Sequence, residues 1–213
     1  DTPTTEIYTL SLPASLPIYG VEVAGDKVDR SCVMPDKVGP GAAMMAPDHR
    51  TADVLNNHYG EIYGIDLDTC NNTFHANLSS VPGEVGRSMY SFAISPDGKL
   101  ALVAAPTRYD HAAKQLQMDT FLQVVDLGAK PATVSKIELG SHPQAVAFDR
   151  SGHWGVVTCV DGGVRPLRIE GNQVTVLDTI SIGSKRLAGA AFTHDSQHVL
   201  VSLRDEQGVA VLN

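Results

Sequence analysis

The feature that most constrains this chain of 213 residues is a short motif that recurs four times: an apolar strand, a tight polar turn and a second apolar strand. The equivalent turn residues Asp48, Asp97, Ser151 and Asp195 are 44 to 54 residues apart. Further extended segments follow each turn, so each unit predicts four antiparallel strands. Asp97-Gly98 is a hairpin signature that predicts positive φ at both positions. Repeats of this length are typical of arrays of similar sheets.

Four strands per repeat predict an all-β fold made of β-propeller blades, each a four-stranded antiparallel sheet. About four blades are expected in one domain that starts and ends in the middle of a blade. The predicted units are a partial blade at 1–34, blades at 43–79, 89–139 and 144–182, and a partial blade at 188–213. The last strand of the third complete unit is predicted as one segment over 174–182. The segment 110–118 predicts a helix inserted in a blade, with an irregular loop as the alternative.

The number of strands leaves the predicted ring incomplete. Monomeric propellers typically close with four to eight blades, because a single blade buries its two faces only against neighbours. An open arc would expose an apolar face and unpaired strand edges, which soluble proteins avoid. We therefore expect a homodimer or a higher homo-oligomer that completes the ring, with a small closed ring as the alternative.

Charge and composition exclude several classes of function. The net charge of −8 argues against a nucleic-acid partner, since such proteins concentrate Lys and Arg on one face. No run of 18 apolar residues is present, so no membrane-spanning segment is expected. The first residues lack a basic-then-apolar pattern, so no signal peptide is expected among them. The sequence also lacks the common motifs of serine hydrolases, zinc proteases and nucleotide-binding loops.

The chain has three cysteines, and none belongs to a CxxC pair. Cys32 and Cys70 lie on or near predicted outer strands, which permits one disulfide between them. The alternative is that these two and Cys159 are separate thiols that pack as small apolar groups. The residues alone leave both readings open.

Six segments carry a resemblance to one known family. They are SCVMPDK at 31–37, AMMAPD at 43–48, VLNNHYG at 54–60, YGIDLDTC at 63–70, TFHANL at 73–78 and SPDGK at 95–99. Residues 31–99 closely resemble the β subunit of bacterial quinohemoprotein amine dehydrogenase. Beyond Lys99, SHPQAVAF at 141–148 is similar to the widespread YVTN-type propeller repeat. The change from close to generic similarity suggests a chimera, an engineered recombinant or a fragment.

The resemblance implies a role as well as a fold. In that family the β subunit is a complete, longer propeller that holds no cofactor of its own. The quinone and the haems belong to partner subunits, against which the propeller packs in the periplasm. The resemblance therefore implies no cofactor in this chain, possible quinone- and haem-bearing partners, and a periplasmic location. It carries no catalytic residue over to a position of this sequence.

Candidate ligand-binding residues lie in the predicted loops between blades and between the second and third strands, because these loops share one face of a propeller. They are His58, Tyr59, Arg87, Arg108, His111, His142 and Arg186. Three histidines with Asp110 and Asp161 have the chemistry of a metal site, but they lack any local ligand spacing, so no metal is expected. The alternative for His142 is a hydrogen bond to backbone. The arginines with Lys185 are candidates for anion binding or are solvated loop charges.

Four functional hypotheses follow. The first is a non-catalytic propeller that acts as scaffold and binding module. The second is a working subunit of an amine-oxidising complex, with catalysis only in the presence of its quinone and haem partners. The third is an engineered or chimeric propeller that does nothing beyond folding and assembly. A metal-dependent, lactonase-like propeller is the weakest candidate.

Overall fold

The computed structural model describes residues 6–9, 17–22, 28–33, 40–56, 60–78, 91–104, 107–110, 113–184 and 186–213. These residues form strands and turns only, and no helix occurs among them. Within the described part of the chain there is accordingly no helix of the length and apolarity needed to cross a bilayer. The fold is all-β, as the repeat predicts.

In the described part of the chain, twenty-one strands build five main antiparallel sheets and one hairpin. The first sheet contains β1 (Glu6–Thr9), β2 (Pro17–Glu22) and β3 (Val28–Val33). The second contains β4 (Pro40–Met45), β5 (Thr51–Asn56), β6 (Glu61–Asp66) and β7 (Asn72–Asn77). The third contains β8 (Ser91–Ile94), β9 (Leu100–Ala104), β12 (Phe121–Asp126) and β13 (Thr133–Glu138), with the hairpin β10 (Thr107–Asp110) and β11 (Gln115–Met118) inserted.

The fourth sheet contains β14 (Pro143–Phe148), β15 (Trp154–Cys159), β16 (Gly163–Glu170), β17 (Gln173–Val176) and β18 (Ile180–Ser181). The fifth contains β19 (Leu187–Phe192), β20 (Val199–Leu203) and β21 (Gly208–Leu212). Strands of each main sheet pair in chain order, and β18 also pairs with β16. The first strands β4, β8, β14 and β19 adjoin one another from sheet to sheet, so they form the inner side of the array. The described sheets do not close into a ring.

Two of the predicted elements are wrong. At its described positions the segment 110–118 is not helical, because Asp110 ends β10 and Gln115–Met118 form β11, and the two strands pair antiparallel with Tyr109 opposite Leu116. The residues of β11 alternate polar and apolar from one position to the next, which suits a strand. The single strand predicted over 174–182 is two strands. Residues 177–179 lie opposite only two residues of β16, 165 and 166. The extra residue interrupts the hydrogen-bond ladder between the strands.

The repeated turn has the same backbone hydrogen bonds in each of the four described copies. The N–H of the first turn residue donates to a carbonyl oxygen five residues later, at or just before the start of the next strand. Its own carbonyl oxygen accepts from the N–H of the fourth turn residue. For Ser95 these distances are 2.8 Å to Leu100 O and 2.8 Å from Gly98 N. Only the fourth turn position has positive φ, 72° at Gly98 and 58° at Ser196. The expectation of positive φ at both Asp97 and Gly98 is therefore wrong.

The core lies between the sheets, because each strand presents alternate residues to its two neighbours. Val54 packs toward the first sheet with Cys32 and Ile65, whereas the adjacent Leu55 packs toward the third sheet. Both side chains are fully buried. Burying a side chain of this kind stabilises the fold by about 1.5–3 kcal/mol. Sheet-to-sheet packing rather than any single sheet thus supplies most of the apolar burial.

A disulfide joins the first sheet to the second. Cys32, on β3, is bonded to Cys70, which lies in the turn between β6 and β7. The Cys32 side chain is buried in the cluster that contains Ala52, Val54 and Ile65. Cys159 is a free, buried thiol whose pKa is raised to about 11, chiefly by desolvation. Of the two alternatives for the cysteines, the structure therefore has the Cys32–Cys70 disulfide, and only Cys159 is a thiol packed as an apolar group.

Candidate functional site

A groove of about 600 Å³ runs along the inner side of the second to fifth sheets. Its walls are mostly apolar and come from the ends of the first strands, with Met44 from β4, Phe92 and Ile94 from β8, Phe148 from β14 and Phe192 from β19. The repeated turns that follow these strands form its rim, where Arg150 and His194 lie. A concave, mostly apolar site with a few polar groups is the usual form of a small-molecule site.

The polar groups of the rim come from two neighbouring sheets. Arg150 Nη1 lies 2.6 Å from His194 Nε2. Because a guanidinium only donates, His194 Nε2 is the acceptor, and the ring proton then resides on Nδ1. The remaining guanidinium N–H groups have no partner among the described residues, and both side chains are exposed. The rim therefore presents hydrogen-bond donors to the solvent at the mouth of an apolar groove.

The carboxylates near the rim are engaged in their own turns. Asp149 is buried and accepts hydrogen bonds from Ser151 Oγ at 2.6 Å and from Trp154 N at 2.9 Å. Desolvation raises its pKa, but these hydrogen bonds outweigh that effect and hold the pKa below the ordinary value. Asp195 accepts from Thr193 Oγ1 at 2.6 Å, and this bond is the main cause of its lowered pKa. Both carboxylates are fixed as acceptors of local donors.

Neighbouring turns contact each other through equivalent positions. A Cβ placed on Gly98 would lie 3.5 Å from Pro47 Cδ, and one on Gly152 would lie 3.1 Å from Pro96 Cδ. At the third junction the partners differ: Arg150 N donates to Ser196 Oγ at 3.2 Å. In every case the second residue of one turn meets the fourth residue of the next. We call these three contacts the turn ladder. It fixes how the turns at the rim of the groove are spaced.

Asp53 is a buried carboxyl in the strand behind the groove. It pairs with Met44 across β5 and β4 and shares the apolar face that packs on the third sheet. The side chain is 2% exposed, and its Oδ1 has no hydrogen-bond partner. Desolvation, with a smaller contribution from Asp48, raises the pKa of Asp53 to about 7. The repeat places Leu102, Val156 and Leu200 at the equivalent position of the other sheets.

His142 is the sequence-predicted candidate whose surroundings the structure describes most fully. Its ring is buried, and Nδ1 lies 2.7 Å from the carbonyl oxygen of Asp119. Its own carbonyl accepts from Val160 N at 3.0 Å. These contacts match the alternative of a histidine that bonds backbone at the start of a strand. His142 precedes β14, whereas the groove lies at the opposite end of that strand.

The proposed metal partner Asp161 belongs to an ion pair. Arg165 Nη2 donates to Asp161 Oδ2 at 2.7 Å and Nη1 to Oδ1 at 3.2 Å. Hydrogen bonding to Arg165 is the main cause of the lowered pKa of Asp161. Among the described residues no group of three or more His, Cys, Asp and Glu side chains has the arrangement of a metal site.

The other predicted candidates are not brought together in the described part of the chain. His58, Tyr59, Arg87 and His111 lie outside the described residues, as does Lys185. Arg108 is on β10, where the backbone pairs it with Gln117. Arg186 is exposed, and its carbonyl accepts from Arg204 N at 2.9 Å. The loop-face site therefore stays a prediction.

Arg150 and His194 are the rim residues that sequence reasoning did not single out. Both occupy the second position of a repeated turn, where the earlier copies have Pro47 and Pro96. An alignment of the four turns shows that the later two repeats have a charged or polar residue in place of proline. This replacement is the sequence signal that could have identified them. The apolar lining is ordinary strand sequence and has no such signal.

Sheets of this kind, packed face to face with their first strands innermost, define a β-propeller fold. Solved structures similar to this chain have that fold. Dihydro-heme d1 dehydrogenase NirN in complex with DHE superposes with a TM-score of 0.68 at 17% identity, over 97% of this chain and 41% of that chain. The β-propeller domain of Myceliophteria thermophila Cps50 (Swd1) gives 0.70 at 11% identity, over 93% and 59%. U3-55K gives 0.60 at 13% identity, over 84% and 53%.

This chain thus spans about half the length of the structures that it matches. Identities this low establish the fold and no shared activity. No protein-family model matches the chain. No curated protein matches it either.

Proposed function

We propose that this protein is a β-propeller scaffold and binding module without chemistry of its own. The observation that carries this proposal is the groove, which is built from the rigid inner strands of neighbouring sheets and edged by turns that the turn ladder ties together. Such a frame holds a surface for a partner or ligand in fixed geometry, which is the usual use of propellers.

The scaffold proposal is tested by isolating the protein with whatever binds it. The full chain is expressed with an affinity tag in a bacterial periplasm, and the bound fraction is analysed by mass spectrometry and absorbance. Stoichiometric co-purification of a protein or small molecule supports the proposal. Turnover of amines or lactones by the pure chain would contradict it.

A second candidate is a working subunit of a periplasmic amine-oxidising complex with quinone- and haem-bearing partners. The sequence segments within residues 31–99 that suggest the amine dehydrogenase β subunit are its basis, and no family model or curated protein adds to them. The Cys32–Cys70 disulfide is compatible with a periplasmic location, because disulfides persist in oxidising compartments. Haem absorbance in the co-purified complex supports this candidate. A colourless, pure homo-oligomer contradicts it and favours the third hypothesis, a chimeric propeller that only folds and assembles.

We also propose that a second copy of the chain packs on the fifth sheet. One face of that sheet has three exposed apolar side chains: Val209 (61% exposed) and Val211 (59% exposed) on β21, and Leu200 (37% exposed) on β20. The equivalent faces of the second to fourth sheets are covered by the next sheet. Light scattering is expected to give a dimer or larger assembly, which Val209→Ser with Val211→Ser dissociates. A clean monomer mass for the wild type would refute it.

A further inference from the structure

The groove and its rim differ in chemistry, and this difference restricts what the groove can bind. We propose that the groove binds a small organic anion with an apolar body. The anionic group contacts Arg150 and His194, and the apolar body packs against Phe148 and Phe192. This names the ligand class for the binding module proposed above, and so it rests on that function.

The groove volume of about 600 Å³ lies within the range of small-molecule sites. Phe148 and Phe192 are half-buried at the ends of neighbouring strands, and both line it. Aromatic side chains in such positions gain from burial against an apolar ligand. An apolar body is therefore favoured inside, whereas a fully charged or strongly hydrated ligand would lose its hydration there.

The donors are concentrated at one edge. Arg150 uses one Nη1 contact on His194, which leaves the rest of its exposed donor set without a partner among the described residues, and His194 Nδ1–H is a further donor. A guanidinium binds a carboxylate in bidentate geometry, and hydrogen bonds of this charge-assisted kind are the stronger ones. A ligand with an acceptor group at one end therefore finds charged and neutral hydrogen-bond donors at this edge.

Nearby carboxylates do not compete for the guanidinium. Asp149 and Asp195 lie next to Arg150 and His194 in sequence, but both accept hydrogen bonds from their own turns. No ion pair of Arg150 with an acidic side chain occurs among the described residues. The charge of Arg150 is thus available to a ligand. The charge of Arg165, in contrast, is neutralised by Asp161.

The test compares 4-phenylbutanoate with 4-phenylbutan-1-ol by isothermal titration calorimetry on the full chain. Both probes have the same apolar body, and only the first is an anion. We expect the carboxylate to bind about tenfold more tightly, since hydrogen bonds to charged groups commonly contribute that much. Arg150→Gln should abolish this preference while it leaves the affinity for the alcohol unchanged. His194→Ala should reduce the preference in the same direction.

Two variants complete the design. Ala191→Trp fills the groove from an exposed position on β19 and should prevent binding of both probes. Arg168→Gln removes an exposed arginine on β16, away from the groove, and should change neither affinity. Equal affinity for the two probes, an unchanged preference in Arg150→Gln, or no binding of either probe would overturn the ligand class. Co-purification of a partner alongside such a result would leave the scaffold role intact, so the two failures are distinguishable.

Discussion

The backbone N–H of Arg150 donates a hydrogen bond to Ser196 Oγ at 3.2 Å, across the junction of the fourth and fifth sheets. At the two preceding junctions the same positions hold Pro96 against Gly152 and Pro47 against Gly98. Proline has no N–H to satisfy, and glycine has no Cβ to collide with it. The Arg–Ser pair therefore replaces a Pro–Gly van der Waals contact by a hydrogen bond.

The first prediction is that this pair behaves as a unit. The double variant Arg150→Pro with Ser196→Gly should lose about 1 kcal/mol less free energy of unfolding than the two single losses added together. Each single variant loses the same hydrogen bond, and the double variant loses it only once. Glycine also relieves the positive φ of 58° at Ser196. Urea unfolding of the four proteins of the cycle measures the coupling.

The control for this cycle is Arg150→Pro combined with His49→Gly. His49 also has a positive φ, 54°, but it lies in the turn between β4 and β5, which does not adjoin Arg150. The two changes should add. Coupling of similar size in both cycles would contradict the turn ladder.

The second prediction concerns the buried carboxyl of Asp53, whose pKa is raised to about 7 by desolvation. A group whose pKa is higher in the folded state favours folding when it is protonated. Its contribution is fully present below the unfolded pKa near 3.8 and is lost as the pH rises through 7. The difference of about three units corresponds to a loss of about 4 kcal/mol across that window.

Asp53→Asn should therefore remove this pH dependence, and Asp53→Leu should additionally raise the melting temperature at neutral pH, since the other repeats have apolar residues there. Chemical denaturation at several pH values between 4 and 8 measures the slope. Asp205→Asn, in an exposed loop, is the matched control and should keep the wild-type slope. An identical slope in Asp53→Asn would show that the carboxyl is not buried.

The third prediction concerns the disulfide between Cys32 and Cys70, which are 38 residues apart. Cys32→Ala with Cys70→Ala should lower the free energy of unfolding by about 4 kcal/mol, because the unfolded chain loses the constraint of that loop. Denaturation with and without dithiothreitol measures it. The wild type should weaken on reduction and the double variant should not. Cys159→Ala, which removes the unbridged thiol, should retain the response to reductant.

The fourth prediction concerns Ser95, whose buried Oγ donates to Asp97 Oδ1 at 2.6 Å and accepts from Leu100 N at 2.9 Å. The first bond is the main cause of the lowered pKa of Asp97. Ser95→Ala should raise that pKa toward its ordinary value and cost about 1–3 kcal/mol, because the Leu100 N–H loses its partner. A pH titration by NMR reports the Asp97 carboxyl directly.

The sign of the accompanying pH effect is fixed by the direction of this shift. Asp97 has a depressed pKa in the folded state, so it stabilises the fold above the unfolded pKa and stops doing so as the pH falls through the folded value. Ser95→Ala should thus make stability less sensitive to acid. The pKa of Asp195 in the equivalent turn should stay unchanged and serves as the internal control.

Elements with local causes could be predicted from the sequence. The four turns and their flanking strands follow from apolar segments around short polar residues, and Asp97 caps its own turn within two residues. The prediction of a helix at 110–118 is wrong at its described positions because so short a segment contains little periodic signal, whereas pairing of Gln115–Met118 with β10 determines its structure. The bulge after Val176 was also missed, since one extra residue is visible only against the partner strand.

The candidate site was less predictable than the fold. His142 lies at the start of an inner strand, as predicted, but its ring bonds the carbonyl of Asp119, which lies between β11 and β12, 23 positions away in sequence. The residues that edge the groove, Arg150 and His194, look like ordinary turn residues, and their contact spans 44 positions of sequence. No local pattern relates two turns of different sheets.

The sequence by itself determined the recurring turn and the strands on either side of it, because hydrogen bonds within five residues close that turn wherever it occurs. The tertiary structure alone decided which turns adjoin, that Arg150 meets both Ser196 and His194, and that Asp53 is buried at a position that other sheets fill with apolar residues. The physical reason is that a strand buries its faces only against neighbouring sheets. The environment of each side chain is therefore set by the packing of sheets that lie far apart in sequence.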